Sequence, residues 1–581
     1  MNDQKNIFLA IGFSILIIIF FQIFFPQPTM VQQNERLAKE ENRDETNQSN
    51  ILNEQIDSNK EIIKSKDEII SANNKRVKID TKSLKGSINL VGGFLDDITL
   101  KNYKESLDNN SNNIDLLNPD NTNYPYFIEF KWISNNSEIE MPNENTLWET
   151  NNELLDANNP VILKWKNNHN ITFNLIFEID DDYMFSINQK VENNSNKEIN
   201  IRAYRTIKRI NKPKTIDFFI LHEGIIGVSS ERLWTEKYKT IKKECSDNED
   251  IKKEYCEQKL VGGWSGFTDK YWMTALIAEN NDIDISYKHY NKGRDIFIAR
   301  HLDKPTNLNK NSEYNFNGNV FTGAKVLRIL NVYEEKFNIT RFNDAIDWGM
   351  FSFLTKPIFY SINWFFGIVG NFGIAIIAFT FLMRLFLFPL AQSSFKSMAK
   401  MKKLQPEMQR LKEIYPDDRQ KMQQELMALY KKEGANPIAG CLPIFLQIPI
   451  FFSLYKVLFV TIEMYHAPFY GWINDLSAPD PLGILTIFGL IQWDVWPQLS
   501  IINIGILPIL MGFTMWLQQK LNPAPADPTQ ARIFAILPFV FTFVLAGFAA
   551  GLVLYWTVNN ILSIAQQWII QRKILNTNEK G

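Results

Sequence analysis

The sequence has little of what most active sites are built from. Its 581 residues contain 5 histidines and 3 cysteines. His169, His222, His289, His301 and His466 are scattered and form no ligand spacing, so no metal site is indicated. There is no G-x-x-x-x-G-K-[ST] loop, no H-E-x-x-H and no C-x-x-C, which removes the common grounds for nucleotide hydrolysis, zinc proteolysis and thiol exchange. The segment "GGWSGF" at 262–267 comes close to a nucleophile elbow, yet it lacks the final glycine after Ser265 and has no indicated triad partner. Neither an enzyme nor a cofactor is expected. A net charge of -2, with no basic stripe interleaved with aromatics, also excludes direct nucleic-acid binding of the strongly basic kind.

What is present is divided unevenly. Up to about residue 340 the chain is polar and rich in Asn, Lys, Asp and Glu; beyond it lie several apolar stretches of roughly 17 to 25 residues, long enough to span a bilayer. Residues 1–25 carry an apolar run from Ile7 to Phe25 behind Lys5, without a small-x-small cleavage site, and predict an uncleaved signal anchor. Residues 26–80 are dominated by Asn, Gln, Glu, Lys and Asp and predict a disordered tether. From 81 to 335, segments such as "YFIEFKWIS", "YMFSINQKV", "EINIRAYRTI" and "AKVLRILNVYEE" alternate apolar and polar residues, the signature of a β-sandwich. Cys245 and Cys256 fall in this part. An oxidising compartment would permit a disulfide between them, and two free thiols are the alternative.

Residues 340–366 predict an amphipathic helix at the membrane surface, followed by five spans near 371–391, 441–463, 501–519, 533–549 and 551–570 within a core of 371–572. With the first anchor that makes six transmembrane helices. The segment after the first core span carries Lys396, Lys400, Lys402, Lys403, Arg410 and Lys412, whereas no Lys or Arg occurs between Lys456 and Lys520. The positive-inside rule therefore places that segment and both termini in the cytoplasm and the β-rich part outside. Within it, 394–436 space Met398, Met401, Leu404, Met408 and Leu411, then Met422, Leu426 and Leu429, at helical intervals. Asp417 with Gln420 resembles a capping box, so a helical hairpin is expected, its methionines serving either as a packed seam or as an adaptable docking surface. Residues 573–581 are expected to be a short cytoplasmic tail.

The run "FTFLMRLFLFPL" places Arg384 among apolar residues, where a charge costs about 2.5 to 3.5 kcal/mol at mid-membrane. Polar residues on other spans suggest why it is tolerated. Thr380 shares its face; Thr514 and Gln518 share a face of the fourth span; Tyr555, Asn559, Ser563 and Gln566 make a stripe on the sixth; Gln447 adds an amide in the third. Most fall in the cytoplasmic half, which suggests a wet groove closed on the outside, with Arg384 hydrated rather than paired. Prolines 389, 443, 449, 508 and 538 should kink four of the five core helices.

The stretches "FTFLMRLFLFPL", "SMAKMKKLQPEMQRLKEIYPDDRQKMQQELMALYKKEGANPIAGCLPIFLQIPIFFSLYKVL", "APFYGWINDLSAPDP" and "GLVLYWTVNNILSIAQQ" resemble the YidC family of membrane protein insertases. The similarity is close over about 340–572, and the order of anchor, exported sandwich and five-span core looks like the form of Gram-negative inner membranes. It implies insertion and folding of nascent membrane proteins through a cytoplasm-open hydrophilic groove, alone or beside the Sec translocon, with Arg384 as the groove arginine. It also implies substrate contacts at Thr380 and the Tyr555–Trp556 pair, a tryptophan standing where the family often has a second tyrosine. The ribosome or targeting factors would meet the cytoplasmic hairpin; the short basic-poor tail implies no ribosome-gripping extension. A secondary transporter would need midplane Asp, Glu or His and repeated halves, which are missing. A membrane-anchored periplasmic binding protein is the third reading, with the sandwich as its working part.

Overall fold

Alternation of apolar and polar side chains becomes, in the computed structural model, two β-sheets packed face to face. The structure describes residues 63–576 apart from 109, 137, 216–220, 246–255, 257–259, 280–282, 417, 435–441, 492, 494, 497–498, 500–501 and 524–527. The expected anchor and most of the expected tether lie outside the described residues. The chain divides into two compact units, with a boundary between Asp347 and Trp348.

The first unit holds an 11-stranded and a 9-stranded sheet, almost wholly antiparallel. Every second residue of Met184–Asn193 is buried, as period-2 patterning requires. The core forms where the inner faces interdigitate: Phe130 of one sheet meets Phe177 of the other edge to face at 5.5 Å, and Trp132 meets Phe173 at 5.2 Å. A buried ion pair also crosses between the sheets. Arg209 on Ile199–Ile210 donates Nη1 to Asp269 Oδ1 and Nη2 to Asp269 Oδ2, both at 2.9 Å, and lies 4.4 Å above the Tyr126 ring. Arg205 on the same strand donates to Asp303 Oδ2 at 2.9 Å and to the Phe316 carbonyl at 2.8 Å.

Order begins earlier than composition suggests. Lys66–Ala72 is a helix (α1) opened by a reciprocal capping box between Ser65 and Glu68, and Arg76–Asp80 is a strand paired with Leu84–Asn89. The tether expectation up to residue 80 is corrected at this end, because Val77 and Ile79 alternate and are buried among otherwise polar neighbours. A second correction concerns "AKVLRILNVYEE", which is a helix over Leu327–Lys336 (named α3 below) rather than a strand. Its buried Leu327, Leu330 and Tyr333 recur every three residues, a helical interval. The Tyr333 hydroxyl donates to Asp180 Oδ2 at 2.7 Å and so fastens the helix to the sandwich.

Between these lies helix α2, Tyr238–Glu244, after which Cys245 and Cys256 are joined by a disulfide with a Cα–Cα distance of 5.3 Å. The serine of "GGWSGF" lies inside the sandwich. Ser265 Oγ is 2.9 Å from His301 Nε2, and both side chains are cut off from solvent, so no substrate reaches them. Burial pushes the His301 imidazole down to about 3, helped by the nearby Arg205 charge. An unfolded histidine protonates near 6.5, so this residue's contribution to stability is complete above that pH and is lost as pH falls below it towards 3. The loss should reach about 2 kcal/mol by pH 5. Urea unfolding of the Glu54–Asp347 unit at pH 7 and pH 5 should show it, and His301→Gln should flatten the slope.

The second unit is helical: α4 Ser352–Val369, α5 Phe372–Phe386, α6 Phe388–Lys403, α7 Gln405–Ile414, α8 Arg419–Lys432, α9 Leu442–Val460, α10 Ile506–Leu521, α11 Pro528–Leu545 and α12 Ala550–Asn576. Among the described residues no single helix is long and apolar enough to cross a membrane on its own, although α5 and α6 reach that length together with a 68° bend between them. The expected surface helix of 340–366 starts only at Ser352; Phe342–Ala345 is a 3-10 turn and Gly349 sits at φ 72°, which breaks any longer helix. Gly370 at φ 67° ends α4 and lets its N–H bond back to the Phe366 carbonyl.

Helix α12 is central and packs against α5, α6, α9 and α10. The expected hairpin of 394–436 is built instead from three helices, α6 to α8, with a break at Leu404 before Pro406. Its cap is Asp418, which accepts from the Lys421 N–H at 3.0 Å; Asp417, the residue expected there, lies outside the described residues. Met398, Met401, Leu404, Met408 and Leu426 form a packed seam that includes Ile570 of α12, so the methionines fill a core. The proline expectation is also narrowed. Pro449 and Pro538 lie inside helices, whereas Pro389, Pro443 and Pro508 occupy first turns, where a missing N–H costs little.

Candidate functional site

The apolar run around Arg384 does not continue as one straight helix. It ends at Phe386 because Pro389 cannot donate back along the chain, so Arg384 sits in the last turn of α5, just before the bend into α6. A cation in a last helical turn is favoured by the helix dipole. That is one reason the residue is tolerated.

The second reason is α12. Arg384 Nε donates to Asn559 Oδ1 at 2.9 Å, Nη2 donates to the Asn559 carbonyl at 3.0 Å, and Nη2 also donates to Ser563 Oγ. The Ser563 hydroxyl in turn donates to the Asn559 carbonyl at 2.7 Å. Gln447 of α9 reaches the same amide, its Nε2 donating to Asn559 Oδ1 at 3.0 Å. One amide oxygen therefore ties α5, α9 and α12 together. The expectation of a guanidinium without an ionic partner is refined: three hydrogen bonds hold it, and all go to neutral acceptors. Among the described residues no carboxylate pairs with Arg384, and its three bonds leave both Nη1 hydrogens outside them.

Removing the shared oxygen should be felt by two donors at once. Asn559→Leu should cost about 1–3 kcal/mol for each donor left unsatisfied. A thermal melt of the detergent-solubilised chain should fall by roughly 5 °C or more for its helical transition.

The remaining polar residues are not all in this cluster. Thr380 is fully buried one turn above Arg384, its hydroxyl donating to the Ile376 carbonyl at 2.7 Å, and Tyr555 is buried on α12. Trp556 packs edge to face on Phe451 at 4.8 Å. Thr514, on α10, meets another side of α12, accepting from Asn560 Nδ2 at 3.2 Å. Gln518 is half-buried and outside the network, and the buried Nε2 of Gln566 has no partner among the described residues.

A row of amides went unread in the sequence. Asn560, Gln567 and Gln571 face α10, with Gln567 Nε2 donating to Asn522 Oδ1 at 3.0 Å and Gln571 Nε2 to the Leu521 carbonyl at 2.8 Å. Their i, i+7, i+11 spacing marks one helical face and was the available signal. The stripe Tyr555, Asn559, Ser563 and Gln566 drew attention to the adjacent face instead. On the far side of α10, Gly512 lies so close to α11 that a Cβ would meet Thr542 Oγ1 at 1.9 Å. The α10–α11–α12 wall is therefore tightly joined, while α5 and α9 meet α12 through the arginine cluster.

Residues 76–361 match the YidC periplasmic domain family and residues 364–578 match the 60Kd inner membrane protein family. The chain is 42% identical over 580 residues to the membrane protein insertase YidC of Granulibacter bethesdensis, covering 98% of both chains. It is 43% identical over 575 residues to that of Pelagibacter ubique, covering 98% of this chain and 99% of the other. Among solved structures, a crystal structure of an active YidC insertase with its first transmembrane domain resolved is 16% identical, covering 85% of this chain and 92% of that one, with a TM-score of 0.35.

Proposed function

The chain belongs to the YidC family of membrane protein insertases, and from that premise we propose that it works through a polar groove in the inner half of the membrane, centred on Arg384. It is an inner-membrane insertase with a periplasmic β-rich domain and a helical C-terminal part. Family membership removes the transporter and binding-protein readings. In the proposed topology an N-terminal anchor and five core spans leave both termini in the cytoplasm, the bent α5–α6 pair entering the hairpin on that side.

A substrate's short polar tail enters between α5, α9 and α12. An acidic group on it replaces Asn559 and Ser563 as the acceptor for Arg384, exchanging bonds to neutral acceptors for a bidentate ion pair. Only the apolar outer half of the bilayer then separates the tail from the far side. Partition of the substrate's apolar segment into lipid drives release, so no bond is made or broken and no nucleotide is used. Thr380, Gln447, Thr514, Gln518, Tyr555, Trp556 and Gln566 line or shape the path; the buried Thr380 and Tyr555 become accessible when α5 and α12 part. The Sec translocon is a partner for larger clients, and the basic hairpin of α6 to α8 meets the ribosome or targeting factors.

One observation carries this reading: the guanidinium at the meeting of three helices is held by neutral acceptors alone. Reconstituted by itself in liposomes, the chain should protect the acidic tail of a single-span substrate from added protease without ATP or GTP. A strict nucleotide requirement would sink the scheme. Asn559→Asp is a sharper variant. By supplying an internal carboxylate it should occupy Arg384 permanently and lower insertion of acidic tails about tenfold without loss of thermal stability.

A further inference from the structure

Between α9 and α10, at the end of the helical unit away from the hairpin, the chain makes an irregular loop whose apolar residues point outward. Ile487, Phe488, Leu490, Ile491, Trp493 and Trp496 are all exposed, Leu490 by 83% and Trp496 by 68%. We propose that this loop is a wedge seated in the boundary between headgroups and acyl chains of the leaflet at the N-terminal end of α10.

The exposure is built and does not come from a slack loop. Asp480 accepts from the N–H groups of Leu482 at 3.0 Å and Leu507 at 2.7 Å and from the Trp472 indole at 3.0 Å, pinning the loop's base to the start of α10. Gly483 pairs with Gly505, and a Cβ on Gly483 would meet Asn503 Oδ1 at 1.8 Å, so the two arms touch. Above this base, Ile487 and Phe488 adopt φ of 46° and 55°. That is an unfavourable conformation for a bulky residue and most of all for a β-branched one, and it turns both side chains outward.

Most of the described N–H groups at the tip are meanwhile satisfied within the loop. The N–H groups of Ile484, Leu485, Ile487, Phe488, Gly489, Leu490 and Ile491 all find acceptors within the loop, including Phe488 to the Gly483 carbonyl at 2.9 Å and Ile491 to the Thr486 carbonyl at 3.0 Å. Irregular backbone is tolerated near hydrocarbon only when its polar groups are satisfied in this way. Water would not require it.

Lipid is the occupant for two further reasons. The helix that follows the loop, α10, exposes Ile509, Leu510 and Phe513, and the sequence reads it as membrane-spanning. No Lys or Arg lies between Lys456 and Lys520, while the tryptophans are residues that favour the membrane interface. A wedge there would thin the outer half of the bilayer beside the α10 wall. The inference is independent of the groove around Arg384.

The test uses the full chain in liposomes, with Cys441→Ala and a fluorescent NBD label on Leu490→Cys. Spin labels on lipid near the headgroup end of the acyl chain should quench more than half of the emission, and aqueous iodide should quench little. Iodide quenching without lipid quenching would overturn the proposal, and so would resistance to both, which would mean protein covers the patch. The same label on Trp496→Cys guards against local misfolding at position 490. Lipid quenching in a preparation that fails to insert substrate would leave the wedge standing and count against the groove alone.

Discussion

Arg384→Glu is expected to lower insertion of a substrate with an acidic tail at least tenfold and that of a matched neutral-tailed substrate by less than about threefold. A hydrogen bond to a charged partner contributes about 1.5–3 kcal/mol, which corresponds to roughly ten- to a hundredfold, and reversing the sign adds repulsion to the loss. The variant also loses the three bonds to Asn559 and Ser563, so general destabilisation is the competing outcome. Misfolding alone would depress both substrates equally. Protease protection of the two tails in the same vesicles separates the outcomes, and equal impairment would remove the electrostatic role.

Asp269→Ala should be the most damaging single change in the sandwich, at about 3–5 kcal/mol. Arg209 is buried, donates to both carboxylate oxygens, and has for other company the Tyr238 hydroxyl at 3.0 Å and the face of Tyr126. Neither can neutralise it. Truncating Asp269 leaves a desolvated cation, whereas the double change Arg209→Met with Asp269→Leu removes both charges and should recover most of the loss. Urea midpoints of the three Glu54–Asp347 units measure this. Because the proposed groove lies in the helical unit, the full-length Asp269→Ala chain should still insert a short-tailed substrate in the liposome assay.

The β-sandwich was legible because burial on one face of a strand imposes a period of two, and "YMFSINQKV" and "EINIRAYRTI" carry it plainly. The misread ends are those where two periods compete or where composition hides a short pattern. In "LRILNVY" the apolar residues suit either period, and packing against Tyr183 and Phe321 selects the helix. Val77 and Ile79 are too few to alter the average of a polar segment. In the helical unit Arg384, Gln447, Asn559 and Ser563 could be nominated from helical faces, yet two features could not be seen. The 68° break after α5 depends on which carbonyls Pro389 frees, and the partners of Arg384 depend on how α5 and α9 meet α12. Tertiary contact also turned the methionine repeat into a seam, since Ile570, distant in sequence, completes it.

The most direct test of the groove is a photocrosslinker at Gln447, which touches Asn559 beside Arg384 without being fully buried. With a stalled nascent membrane protein, adducts should map to the substrate's polar tail, should be stronger for an acidic tail than for a neutral one, and should lose that difference in Arg384→Glu. Adducts confined to the substrate's apolar segment, with no dependence on tail charge, would contradict a polar path through the inner half of the membrane.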